Sequence, residues 1–184
     1  MTFEATAKSL RARATNPAFA AALAIAAVAA ATLAGAWFFQ LVLDIRPSPL
    51  CFEQRYAYYL AVPLGALVAW AAAKHAPRSV IIAGLALLAL AALANAWLGG
   101  YHAGVEWGFW SGPTECSGPV LDLGQAGSLF DNLDKVKVIR CDEVQWRFLG
   151  LSLAGYNVLI SLLIAAIAGW GILSPPDEPS RGVA

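Results

Sequence analysis

The sequence predicts an all-α integral membrane protein, a bundle of four transmembrane helices with one long loop outside the membrane. Of its 184 residues 59% are hydrophobic and 13% are charged, and the mean hydropathy of +0.63 is well above that of soluble domains. Four uncharged stretches are each long enough to cross a hydrocarbon core of about 30 Å, which takes about 20 helical residues. These stretches are residues 18–43, 56–73, 79–101 and 148–173, and they predict a single membrane domain over residues 1–184.

Each stretch has features of a true membrane span. The first is too long for the apolar region of a cleaved signal peptide, which is typically about 7 to 15 residues. Aromatic residues mark one common boundary of the four spans, as expected at a membrane–water interface. They close the first and third spans and open the second and fourth, at Trp37, Phe38, Phe39, Tyr56, Tyr58, Tyr59, Trp97, Tyr101 and Trp146.

Basic residues indicate the orientation of the bundle. The N-terminal segment, the 74–78 loop and the C-terminal tail together carry six basic and three acidic residues, whereas residues 44–55 and 102–147 carry six basic and nine acidic ones. Because the two basic counts are equal, the assignment depends on their higher density in the short segments. The positive-inside rule then places both termini and the 74–78 loop in the cytoplasm, and all three cysteines on the opposite side.

The long loop, residues 102–147, contains a predicted short helix. Leu129, Leu133 and Val136 recur at helical spacing, and Ser128 is a suitable N-cap. Such an amphipathic helix can lie flat on the membrane or pack within a loop subdomain, and the sequence leaves both interpretations open.

Cys51 stands at a predicted helix start. With Ser48 as N-cap, Pro49 occupies the first helical position and Cys51 the third, where free amides and the positive end of the helix dipole favour a thiolate. Arg55 follows one turn later. The alternative is purely structural: Cys51 is then a small apolar residue, Arg55 anchors the helix end, and Ser48 is a cap without a chemical role.

The sequence lacks the motifs of nucleotide-binding, zinc-binding and nucleic-acid-binding proteins. It has no nucleotide-binding glycine motif, no cysteine spacing typical of zinc sites and no basic nucleic-acid patch. We therefore expect membrane lipid as a partner, and neither a metal centre nor nucleic acid.

Two segments resemble the disulfide bond formation protein B (DsbB) family. Residues 47–55 read P-S-P-L-C-F-E-Q-R, similar to the family's redox motif P-C-x-L-C-x-x-x-R, and Tyr58 and Tyr59 follow. The family's second cysteine pair and the start of its fourth helix are matched by Tyr101-His102, by residues 112–116, by Cys141-Asp142-Glu143 and by residues 146–152. Both segments lie in the family's order around four spans.

The resemblance implies an enzyme of the bacterial inner membrane that reoxidises the periplasmic dithiol oxidase DsbA and delivers the electrons to a membrane quinone. It implies that a Cys116–Cys141 disulfide is attacked by DsbA, and that Cys51 faces the quinone. Arg55 would stabilise the charge there, and His102 would either contact the quinone or serve as an interfacial hydrogen-bonding residue. Ubiquinone and menaquinone are not distinguished.

Position 48 departs from the family pattern. Ser48 stands where the motif has its first cysteine, and a hydroxyl cannot form a disulfide, so turnover should be abolished or nearly so. Our hypothesis is an engineered cysteine-to-serine change, with a natural inactive variant as the alternative. Without that sulfur, Cys51 is also free to pair with Cys116 or Cys141.

Two other function classes stay open. One is a non-enzymatic four-helix membrane subunit whose loop disulfide is structural. The other is an oxidoreductase resembling the vitamin K epoxide reductase group, whose helix order and loop motifs fit this sequence less well.

Overall fold

The computed structural model describes residues 16–117 and 140–175. Within them, four helices are long and apolar enough to cross a membrane, which confirms the predicted all-α membrane class. They are α1 (Pro17–Leu41), α2 (Pro49–Ala73), α3 (Arg78–Glu106) and α4 (Leu153–Leu173). The amphipathic helix predicted around residues 128–137 lies outside the described residues.

Short elements connect the helices at the end of the bundle that carries the cysteines, which we call the loop end. A 3₁₀ turn covers Thr114–Ser117, and strands β1 (Arg147–Phe148) and β2 (Leu151–Ser152) form an antiparallel hairpin. Leu149 and Gly150 turn this hairpin with positive φ values of 49° and 82°. The hairpin leads directly into α4, whose N-cap is Ser152.

At the loop end, α2 and α3 extend beyond their apolar stretches, whereas α1 and α4 stop short of theirs. Helix α2 begins at Pro49, ahead of the apolar stretch that starts at residue 56, and α3 continues past Tyr101 to Glu106. Helix α4 begins at Leu153 because residues 147–152 form the hairpin. Hydropathy detects the lipid-exposed part of a helix, whereas capping and packing decide where it ends. Polar residues near the cysteines therefore lie on rigid helices.

Helix pairs α1–α2 and α3–α4 pack most extensively, and contacts of α2 with α3 and of α1 with α4 close the bundle. Alanine makes up about half of its core, and the larger residues include the fully buried Ile25, Leu85 and Ile164. Small side chains suit a membrane bundle because helices in lipid associate through close packing. At Gly65 an added Cβ would meet the Ala22 carbonyl oxygen at 3.0 Å and the Ala26 Cβ at 3.1 Å.

A polar cluster joins three helices within the core. Tyr58 of α2 donates its hydroxyl to Asn157 Oδ1 of α4 at 2.6 Å, and Asn95 of α3 donates to the same oxygen at 3.1 Å. Asn95 also donates to Ser161 Oγ at 3.0 Å. In the described part of the chain, every buried side-chain nitrogen and oxygen has a partner. Satisfied polar groups of this kind add directional contacts between helices in lipid.

We predict that Gly65→Val destabilises the bundle by about 1–3 kcal/mol, because the backbone carbonyl of α1 cannot yield to the new side chain. Gly169→Val is the matched control, since an added Cβ at Gly169 has nothing within 4 Å. Thermal unfolding in detergent should show a lower Tm for Gly65→Val only. Equal Tm values for the two variants would contradict the close α1–α2 contact.

Candidate functional site

Cys116 and Cys141 form a disulfide at the loop end, with their Cα atoms 5.2 Å apart. This is the pairing that the resemblance implied, and Cys51 is left as the free cysteine. Both bonded cysteines are buried in a cluster with Leu50 of α2 and Val105 of α3. Leu50 and Cys51 are consecutive residues in the first turn of α2. The turn that packs on the disulfide through Leu50 therefore also carries the free thiol.

The backbone around the disulfide is held by local interactions. The Cys116 amide donates to the Pro113 carbonyl at 2.9 Å inside the 3₁₀ turn. On either side of Cys141, Arg140 donates to the Asp142 carboxylate at 2.9 and 2.5 Å, and these bonds lower the pKa of Asp142. Both side chains are about half exposed, so this pair orders the segment but contributes little stability.

Ser48 caps α2, as the sequence predicted. Its extended backbone, with φ −72° and ψ 164°, directs Oγ towards the Cys51 amide, which donates to it at 3.4 Å. Ser48 is buried and Cys51 is partly buried. The amides of the helix start favour a thiolate at Cys51, whereas its partly buried position opposes the charge.

Arg55 of α2 forms hydrogen bonds with α1. Its guanidinium donates to Gln40 Oε1 at 2.8 Å and to the Ala36 carbonyl at 3.5 Å. It also lies over the rings of Trp37 and Phe52, at 5.5 and 5.0 Å from their centroids. A buried arginine with these partners is held in one orientation.

A cavity of about 600 Å³ lies between α1, α2 and α4 at the loop end. Its walls are mostly apolar and include Leu33 and Phe39 of α1 and Ile160 of α4. Helix α2 supplies a polar stripe, because residues at i, i+3, i+4 and i+7 share one helix face. This stripe consists of Cys51, Gln54, Arg55 and Tyr58.

His102 occupies a different position from Arg55. It is buried, its Nδ1 lies 2.8 Å from Gln54 Nε2, and its Nε2 lies 4.0 Å from Glu106 Oε1. His102 is not among the residues that line the large cavity, but it contacts Gln54, which is one of them. His102 instead lines a second cavity of about 20 Å³ together with Ser48, Cys51 and Glu106.

Three polar residues of the site were missed in the sequence. Gln54 and Tyr58 lie three and seven residues after Cys51, and Glu106 lies four residues after His102. Helical spacing from the cysteine and the histidine would have found all three. Hydropathy had placed residues 102–147 in a loop, so Glu106 was not considered as part of a helix face.

The fold and the site together define a multi-pass membrane protein in which a disulfide packs against the first turn of a helix that carries a free cysteine. This arrangement is the one expected of a membrane disulfide oxidoreductase. Among residues 16–117 and 140–175, no group of three or more His, Cys, Asp or Glu side chains could hold a metal ion.

Comparison with known proteins specifies the class further. The family model described as Disulfide bond formation protein DsbB matches residues 18–171, and the chain belongs to this family. A disulfide bond formation protein B of Methylococcus capsulatus is 37% identical, with 76% of this chain and 84% of the relative covered. One from Aromatoleum aromaticum is 35% identical, covering 79% of this chain and 87% of the relative. No solved structure matches the chain.

We predict that the unreduced protein takes up one alkyl group, at Cys51, and three after reduction and unfolding, because the other two sulfurs are bonded to each other. Intact-mass and peptide mass spectrometry after iodoacetamide treatment measure this. Cys51→Ala is the control and should take up none before reduction and two after it. A 51–116 or 51–141 linkage would contradict the site described above.

Proposed function

We propose that the chain is built as a relay between a periplasmic DsbA-type dithiol oxidase and a quinone in the bacterial inner membrane. The main supporting observation is that the Cys116–Cys141 disulfide and Cys51 lie at the same end of the bundle. The disulfide packs in one cluster with Leu50, the residue directly before Cys51. Cys51 in turn lines the large cavity between the helices. One sulfur pair thus serves the aqueous side, and one sulfur serves a lipid-accessible site.

The large cavity fits a quinone head group. Its volume of about 600 Å³ lies within the range of small-molecule sites, and its walls are apolar with a few convergent polar groups. Arg55 and Gln54, which keep further N–H groups, would hold the ring oxygens beside the Cys51 sulfur, and His102 would act through the Gln54 amide. A bound quinone supplies an acceptor for two electrons and two protons.

The loop disulfide would exchange with the water-soluble partner. Exchange proceeds by attack of a thiolate on one sulfur through a mixed disulfide. Attack by a DsbA-type thiolate on Cys116 would join the partner to Cys116 and release Cys141 as a thiolate. Because Cys141 packs in one cluster with Leu50, the released Cys141 sulfur would lie near the first turn of α2 and its N-cap residue, Ser48.

Ser48 would interrupt the relay at this point. Cys141 can displace a sulfur only from a disulfide, and the Ser48 hydroxyl cannot form one with Cys51. The chain should therefore bind both its partner and quinone but lack sustained turnover. An engineered cysteine-to-serine change explains why the rest of the motif is kept, and a natural inactive variant is the alternative.

A second candidate function is a non-enzymatic membrane subunit with a structural disulfide. One observation favours it: Cys116 and Cys141 are only 5% and 1% exposed. A structural disulfide resists reduction by a dithiol partner, whereas a relay disulfide is readily reduced. Incubation of the chain with reduced DsbA, followed by mass spectrometry of the loop cysteines, separates the two functions.

We predict that Ser48→Cys restores quinone reduction by reduced DsbA, because the new sulfur lies one helical turn from Cys51 and completes the second disulfide. The rate of quinone reduction at a fixed concentration of reduced DsbA measures the effect. The starting chain should give only the uncatalysed background rate.

Ser48→Ala is the matched control and should remain at background, as should the double variant Ser48→Cys, Cys51→Ala. A folded, quinone-loaded Ser48→Cys protein that shows no reduction would refute the relay. High activity of the starting chain would refute the role assigned to position 48.

We predict that Gly35→Leu lowers the amount of quinone bound per protein several-fold, because Gly35 lines the large cavity and its new side chain would fill it. Quinone extracted from the purified protein and separated by chromatography gives the ratio. Gly100→Leu is the control, since neither glycine has an atom within 4 Å of an added Cβ. Equal quinone content in the two variants would place the quinone elsewhere.

A further inference from the structure

Helix α3 ends in a glycine turn that reverses the chain. Gly108 has a positive φ of 74°, and its amide donates to the Val105 carbonyl at 3.1 Å. The Phe109 amide donates to the Gly104 carbonyl at 2.9 Å. These two bonds define a Schellman motif, which ends a helix at a glycine in the left-handed conformation. The segment after Gly108 therefore leaves the axis of α3 instead of extending it.

Trp110 folds back along the side of α3. Its ring stacks on that of Tyr101, with centroids 5.9 Å apart, and its Nε1 donates to the Tyr101 carbonyl at 2.9 Å. The Tyr101 hydroxyl donates to the Ser111 carbonyl at 3.2 Å. Gly104 leaves space for the indole, because an added Cβ there would overlap the Trp110 side chain. Trp110 thus lies beside the last turns of α3 and not beyond its end.

The side of α3 that Trp110 covers continues an exposed apolar stripe. Leu90, Leu93 and Trp97 recur at i, i+3 and i+7, and all three are exposed, Trp97 by 81%. Tyr101 follows one turn later, so the stripe leads to the ring on which Trp110 packs. Because α3 is one of the membrane-spanning helices, its exposed apolar side faces lipid. The turn after α3 therefore lies on the lipid-facing side of the bundle.

This turn carries three exposed aromatic side chains and no charge. Trp107, Phe109 and Trp110 are exposed by 56%, 67% and 47%, and neighbouring rings have centroids 5.7 and 6.1 Å apart. Residues 107–114 contain no charged side chain. Tryptophan is enriched at membrane–water interfaces, where its amphipathic ring lies at the headgroup level. The indole N–H of Trp110 already has a partner, so this ring can contact lipid without leaving a buried donor unpaired.

We infer that residues 107–111 form an interfacial anchor, a loop segment that lies in the headgroup layer beside α3 and contacts lipid through its aromatic rings. Irregular backbone exposed to lipid is not tolerated in the hydrocarbon core, which restricts the anchor to this layer. The chain continues to Gly112, where an added Cβ would lie 3.2 Å from Val105 and 3.5 Å from the Cys116 Cβ. The anchor thus holds the Cys116 arm of the loop at the membrane surface. This inference concerns lipid contact alone and does not depend on the proposed relay.

A nitroxide label at position 109 tests the inference by measuring its depth. Cys51→Ala removes the free thiol while the Cys116–Cys141 disulfide stays intact, so Phe109→Cys in this background offers a maleimide nitroxide one free cysteine. The full chain is placed in nanodiscs of phosphatidylcholine and phosphatidylglycerol. Electron paramagnetic resonance then measures collisions of the label with oxygen, which concentrates in lipid, and with a nickel chelate, which stays in water.

Two further labels calibrate the depth. Leu90→Cys reports the lipid-exposed side of α3, and Lys74→Cys reports the exposed connection between α2 and α3. The oxygen-to-nickel collision ratio at position 109 should be several-fold higher than at Lys74 and no higher than at Leu90. Trp107→Cys should give the same result, and it carries the test if Phe109→Cys does not fold.

Two outcomes would overturn the inference. A ratio at position 109 equal to that at Lys74 would mean that the segment faces water, where it is free to bind a protein partner. Low collision rates with both reagents would mean that protein, and not lipid, covers the segment. The assay contains neither quinone nor DsbA, so neither outcome bears on the relay.

Discussion

The capped start of α2 is the constraint on which the rest of the site depends. The Ser48 cap fixes the rotation of the first turn, and so decides that Leu50 faces the disulfide while Cys51 lines both cavities. Because Gln54 and Arg55 follow Cys51 by three and four residues, they lie on the same face of α2 and also line the large cavity. A shift of the helix register by one residue would rotate each of these side chains by about 100° around the helix axis.

Two kinds of helix contact keep this geometry in place. Away from the loop end, alanine and glycine allow α1 and α2 to approach closely, as at Gly65. At the loop end the same two helices line the large cavity together with α4, and Arg55 connects α2 to α1 through Gln40 and Trp37. Close packing at one end and polar contacts at the other thus hold the two helices on either side of the large cavity.

Much of this could be predicted from sequence because the relevant signals are local. Four uncharged stretches predict four spans, and serine before proline predicts a helix start. The motif around Cys51 and the second cysteine segment pointed to the family that the comparisons confirmed. Hydropathy, by contrast, could not show that α3 continues to Glu106, or that residues 147–152 form a hairpin rather than the first turns of α4. Continuation of a helix in polar sequence depends on what packs against it.

The sequence by itself determined the class, the number of helices and the chemistry available, since composition, periodicity and cysteine placement act within single segments. Only the tertiary structure decided which groups meet. It placed His102 behind Gln54 and beside Glu106 rather than on the large cavity, and it brought Leu50 against the disulfide. The physical reason is that these contacts join residues up to about ninety positions apart, whose encounter depends on how the helices pack and on where each one ends.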